Sequence, residues 1–211
     1  MDKDVSELDT MKTDKGEWLY CRISQVGKSL DELLFPVLEQ AIRQLPVPKP
    51  MRWAAYDFSF VRPVHWLLVL HGNRVIDGQL FGLDASNLTR GHRIHSPGPH
   101  EIDISDRYEA VLEEAFVLAD HETRREKIRL GLEEADTDVL IDPDLLREVN
   151  NLVEWPVPVS CSFEKEFLEV PHAALIASMQ DHQKFFPVRE SADSDRVTNR
   201  FIAVSNLDSR D

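Results

Sequence analysis

Read from its start, the chain changes the period of its apolar positions several times, and each change marks an element. GEWLYCRIS (16–24) alternates with period two and predicts a strand. SLDELLFPVLEQAIRQL (29–45) lengthens the period to three and four, opens with the capping-box pair Ser29 and Glu32, and predicts a helix. Pro36 falls inside it, where it either kinks the helix or opens a second one at its first position. PVPKP (46–50) stops the helix and predicts an extended connector.

A strand-rich stretch follows. HWLLVL (65–70) is a continuous apolar run, HGN (71–73) a turn, and RVIDGQLFGL (74–83) a return strand interrupted at Gly78. LTRGHRIHSPGPH (88–100) predicts a third strand that ends at Ser96-Pro97-Gly98-Pro99. Such short connections imply antiparallel pairing. Helical spacing then returns. Residues 105–120 put Tyr108, Val111, Leu112 and Ala115 on one stripe, and 121–135 carry Ile128 and Leu132 amid Arg124, Arg125, Lys127 and Arg129. Residues 142–155 turn Leu145, Leu146, Val149, Leu152 and Val153 inward behind Pro143. PVPVSCSF (156–163) reads as a strand, 171–182 as a helix around Leu175, Ile176 and Met179, and 200–206 as a final strand. The class is α+β, an antiparallel sheet core with several packed helices. Residues 1–50 form an N-terminal strand, helix and Pro-rich connector, and 51–211 one α+β core domain.

Charge adds an asymmetry that the apolar pattern does not show. The net charge is −14 over 211 residues. Residues 1–100 hold 12 basic and 12 acidic side chains, 101–170 hold 7 and 20, and 171–211 hold 5 and 6, so the acidity belongs to the middle block. Long-range attraction to nucleic-acid phosphate is therefore weak overall and possible only locally, outside that block. Cys21 and Cys161 match no metal spacing, and each lies in an apolar-alternating segment, which predicts reduced, buried thiols. No run reaches membrane-spanning length and the start is too charged for a signal peptide, so the expected setting is cytoplasmic.

The candidate chemistry lies in LTRGHRIHSPGPH, with two arginines and three histidines in thirteen positions. On a strand, His92 and His95 would face opposite sides and could not share an ion, and no neighbouring Cys or Asp completes a set, so no metal site is expected. No GxSxG elbow or GxxxxGK[ST] loop nominates a catalytic residue. RNA contact fits the residue types better. Arg90 and His92 would share one strand face, Arg93 and His95 the other, and an arginine forks two hydrogen bonds onto phosphate. DHQKFFPVR (181–189) offers His182, Lys184 and Phe185 in the same way. The plain alternative is structural: an arginine–histidine edge that ion-pairs with the acidic helices, and phenylalanines that belong to the core.

MRWAAYDFSFVRPVHWLLVLHG (51–72), LTRGHRIHSPGP (88–99), NNLVEWPVPV (150–159) and SMQDHQKFFPV (178–188), in that order, closely resemble the bacterial glycyl-tRNA synthetase beta subunit. KGEWLYCRI (15–23) and RFIAVSNLDSRD (200–211) also resemble that family, so the likeness covers nearly the whole chain. It implies an N-proximal piece of a longer subunit, without catalytic residues. It implies that ATP, magnesium and glycine are handled by the alpha subunit of an α2β2 assembly, and that glycine tRNA and the alpha subunit are the partners, with no membrane and no DNA. The resemblance assigns no role to Arg90, His92, Arg93, His95, His182 or Lys184. Their chemistry makes them the expected tRNA contacts. The alternatives are a scaffold that docks the alpha subunit without touching RNA, or a hydrolytic editing-type domain.

Overall fold

The computed structural model describes residues 8–21 and 26–208, and the chain divides into two units, Met1–Pro50 and Met51–Asp211. In the first, strands β1 (Asp9–Thr13) and β2 (Gly16–Tyr20) form an antiparallel hairpin in which Met11 faces Trp18. The expected strand over 16–24 thus ends at Tyr20, and its positions 22–24 lie outside the described residues. Helix α1 (Leu30–Gln44) carries the capping box, with the Ser29 N–H donating to Glu32 Oε2 at 3.4 Å. It runs on through Pro36, so the proline opens no second helix. Leu45 turns extended ahead of Pro46, the conformation that a following proline favours.

The second unit begins with short strands. β3 (Met51–Arg52) pairs with β4 (Ser59–Phe60), and β6 (Leu70–His71) with β7 (Arg74–Val75), both antiparallel. The run 65–70 breaks in two because Val69 changes partners: its N–H donates to Ser86 O at 3.0 Å while its carbonyl accepts from Ile76 N at 3.2 Å. Its first half, β5 (Leu67–Leu68), pairs parallel with β9 (Leu83–Ser86), which also pairs antiparallel with β8 (Gln79–Leu80). The β6–β8 excursion brings β9 back in the direction of β5, so not every pair is antiparallel as expected. β10 (Leu88–Arg90) pairs antiparallel with β11 (Pro99–Glu101).

A 3₁₀ turn (Ser105–Arg107) leads into α2 (Tyr108–Glu114), which stops short of the expected Asp120 where Phe116 adopts φ 60°. α3 (His121–Ala135) is capped by Asp120, whose carboxylate accepts from Thr123 N at 2.7 Å. α4 (Pro143–Asn150) is capped by Asp142 in the same way, with Pro143 in its first turn. After β12 (Val157–Ser162), helix α5 (His172–Ala177) passes into a π-helical turn (Ser178–Gln183) that ends at left-handed Lys184. β13 (Phe186–Arg189) and β14 (Val197–Ser205) complete a three-stranded sheet in the order β12–β14–β13.

Helices α3 and α4 supply one side of the main core, through Ile128, Leu132, Leu145, Leu146 and Val149, and the sheet supplies Phe186, Val188 and Ile202. The fold is α+β, with several small sheets in place of one large one. The cysteines differ from expectation. Both are free thiols, and both are half-buried where full burial was expected. Cys161 lies on the edge strand β12, and Cys21 lies just past the end of β2.

Candidate functional site

The segment 88–100 is a strand only as far as Arg90. Thr89 is buried beneath β10 while Leu88 and Arg90 face outward, so the alternation holds for three residues. At Gly91 the backbone dives against the end of α2: a Cβ there would lie 2.5 Å from Ala115 Cβ and 2.8 Å from Ala115 O. The next amide, His92 N–H, donates to that same carbonyl at 2.8 Å. Glycine is the residue that permits this approach.

His92 is 2% exposed. Its Nδ1 accepts from Ile94 N (3.3 Å) and His95 N (3.2 Å), which folds residues 92–95 into a tight turn around the ring. On the other side, Nε2 lies 3.1 Å from Asn206 Nδ2. A neutral imidazole carries one proton, so it accepts fully on one side at a time. Asn206 Oδ1 in turn accepts from Glu154 N (2.7 Å) and Trp155 N (3.0 Å), and His95 Nε2 accepts from Asp208 N at 3.0 Å. Three segments far apart in sequence therefore meet at one point. They belong to the stretches 88–99, 150–159 and 200–211, which carry the family resemblance in the sequence.

Ring packing extends the node. His92 stacks on His95 (centroids 4.6 Å), His95 lies against Phe116 (5.2 Å), and Phe116 meets the edge of Trp155 (5.3 Å). The Lys127 ammonium sits 3.6 Å over the Trp155 ring. Burial there holds Lys127 below the ordinary lysine range, with Glu113 drawing it partly back. Nearby, Asn150 is wholly buried, donates to His121 O (3.0 Å) and accepts from Arg124 Nε (3.1 Å), which joins the start of α3 to the end of α4.

The expectation that His92 and His95 face apart is corrected: the strand ends before them, and a turn brings their rings face to face. Their nitrogens are engaged by backbone N–H groups and by Asn206, and among the described residues no three His, Cys, Asp or Glu side chains form a metal-ligand set. Arg90 and Arg93 differ from the histidines. Both are exposed, and among the described residues neither side chain makes a hydrogen bond or ion pair. The structural alternative, in which these arginines ion-pair with the acidic helices, has no such pair among the described residues.

Ser96 and His100 form a nucleophile–base pair in outline, with Oγ 3.1 Å from Nε2. The same nitrogen lies 3.3 Å from Ser96 O, and a carbonyl can only accept, so that contact needs the proton on Nε2 where a general base would need the lone pair. Among the described residues nothing orients the ring from Nδ1.

The second basic stretch is built differently. His182 is exposed on the π-helical turn, and Lys184 is held by Glu148 at 2.9 Å. The cleft beside it, about 560 Å³, is lined by four carboxylates, Asp142, Asp144, Glu148 and Asp181, against two cations, Arg147 and Lys184, a negative balance unfavourable to phosphate. Phe185 stacks on Phe201 (4.7 Å) and Phe186 is fully buried, so these rings pack the sheet. Asn206 and Asn150 organise the site together with Gly91, and residue type alone did not single out the two asparagines. An asparagine at the end of an apolar strand was the signal available for Asn206.

Comparison with known proteins gives one consistent result. The glycyl-tRNA synthetase beta subunit family matches residues 1–211. A glycine–tRNA ligase beta subunit from Marinobacter nauticus is 48% identical over 211 residues, covering 97% of this chain and 30% of that protein. Those of Chromohalobacter salexigens (44% identical, 98% of this chain) and Alteromonas mediterranea (43%, 99%) are likewise matched over 30% of their length. The chain thus spans about 30% of the length of these relatives.

Proposed function

The chain belongs to the glycyl-tRNA synthetase beta subunit family, and on that premise we propose that it supports the attachment of glycine to tRNA without chemistry of its own, by offering Arg90 and Arg93 to the tRNA backbone. One observation carries the reading. Two exposed guanidinium groups without an intramolecular partner among the described residues flank Gly91 and the buried His92. Arg90 stands at the end of β10, and Arg93 on the turn that the His92 ring holds in place. With the backbone held in this way, an arginine that forks two hydrogen bonds onto phosphate gives up side-chain freedom but little backbone freedom. His92 and His95 act behind the surface as positioning residues. His182 and Lys184 have the lesser part, since Lys184 must release Glu148 to reach a phosphate. ATP, magnesium and glycine belong in this reading to the alpha subunit of an α2β2 enzyme in the cytoplasm. Titrating the chain with glycine tRNA and a noncognate tRNA, each at low and moderate salt, tests it. Salt-sensitive binding is expected, and no binding by a folded sample contradicts it.

One observation favours a second reading. Ile94, next to Arg93, is 63% exposed, and an isoleucine has no use for phosphate. In this reading the same turn docks the alpha subunit, and tRNA binding is unchanged when Ile94 is replaced by serine while assembly weakens.

A further inference from the structure

The unit Met1–Pro50 holds apolar surface of a kind that folded chains cover. Leu30, Leu33, Leu34, Val37, Leu38 and Ile42 recur along α1 at helical spacing, yet none of its fifteen residues is fully buried. Leu34, Leu38 and Ile42 are half-buried, and Leu30, Leu33 and Val37 are exposed, Val37 by 56%. The hairpin repeats the pattern. Its directly opposed pair Met11 and Trp18 remains 50% and 56% exposed, with Tyr20 on the same face. All ten hairpin residues are exposed.

From this we infer that α1 and the β1–β2 hairpin are half of a packed layer whose other half is a further apolar stretch of the same parent subunit. Neither element is stable by itself. A two-stranded hairpin is marginal in water, and a helix of this length draws its stability from its packed face. The cover must therefore be at hand when the chain folds, which a covalently attached segment achieves through its high effective concentration. A second copy at micromolar concentration would have to capture a unit that is still unfolded. The relatives have room for such a segment, since this chain spans about 30% of their length. The inference rests on family membership and on burial, and it is independent of any tRNA contact.

Hydrogen exchange read by peptide mass spectrometry tests it. The 211-residue chain alone is compared with a full-length Marinobacter nauticus beta subunit in which this sequence replaces its matching segment. Peptides from α3 and β14 serve as the control that residues 51–208 are folded in both. Protection at 30–44 and 9–20 is expected to rise by roughly tenfold or more in the full-length subunit. Val37→Glu there should abolish that gain and leave α3 protected. Equal exchange of these peptides in the two proteins overturns the inference. So does protection in the isolated chain, whether it grows with concentration, which marks a second copy, or not, which marks cover from residues 51–208.

Discussion

The Asn206 side chain stands 3.1 Å from Nε2 of His92, across 114 positions of sequence, and its other amide atom accepts from two backbone N–H groups of the 154–155 segment. This asparagine, the residue just past the last strand, lies against the ring that shapes the histidine turn and holds the entrance to β12. His92 and His95, which residue type offered as RNA contacts, are engaged inside the chain, and the arginines beside them face outward.

Removing either partner should therefore unfasten more than one hydrogen bond. His92→Ala deletes a buried ring and orphans the turn, and should cost about 2–4 kcal/mol of folding stability. Asn206→Ala leaves the Glu154 and Trp155 amides without their acceptor, and should cost about 1–3 kcal/mol. Denaturant unfolding of both single variants and the double variant should show a coupling of about 0.5–3 kcal/mol. Additive losses would mean that the two side chains stabilise the fold independently.

Gly91→Ala places a methyl group 2.5 Å from Ala115 Cβ and should destabilise by about 1–3 kcal/mol. Thermal unfolding reads this directly, and an unchanged midpoint would show that the end of α2 yields freely.

Gly131 sits mid-helix in α3, where alanine would ordinarily stabilise by about 1 kcal/mol. Here a Cβ would meet Pro158 Cγ at 2.7 Å, so Gly131→Ala should be neutral or destabilising. In a Pro158→Ala background the same change should recover the helical gain. Stabilisation in the unaltered chain would mean that β12 shifts away from α3 at little cost.

The Asp120 carboxylate is held below its ordinary range, first by its hydrogen bond with Thr123 and with further help from His121 and Arg124. Its folded pKa is thus lower than its unfolded one. The cap's contribution is complete above the unfolded value and is lost as pH falls through the folded value. Asp120→Ala should lower the melting temperature at neutral pH, and the gap to the unaltered chain should close in acid. A gap independent of pH would assign the effect to something other than the charged cap.

Much of the fold is legible in the sequence, and the failures share a cause. Local signals are enough for α4, where Asp142 and Pro143 mark the start and the apolar stripe fixes the inward face as far as Asn150. Leu152, beyond it, is 62% exposed where an inward position was expected. Helical spacing finds α3, but it assigns the cap Asp120 to the end of the preceding helix. The strand reading of 88–100 fails after Arg90 because Gly91 and His92 answer to Ala115, a neighbour in space that periodicity does not register. The run 65–70 breaks for the same reason, since Val69 serves two different strands. The candidate residues are found by type, but their division into inward histidines and outward arginines depends on Asn206 and Asp208, over a hundred positions away.

The most direct test of the central claim is the salt dependence of glycine tRNA binding by the chain and by its Arg90→Gln/Arg93→Gln variant. Neither guanidinium supports the fold, so the melting temperature should hold. Affinity should fall, and the slope of log affinity against log salt should become shallower by about one for each phosphate no longer neutralised. An unchanged slope and affinity in a folded variant would contradict it, and would leave the turn as a docking or structural element alone.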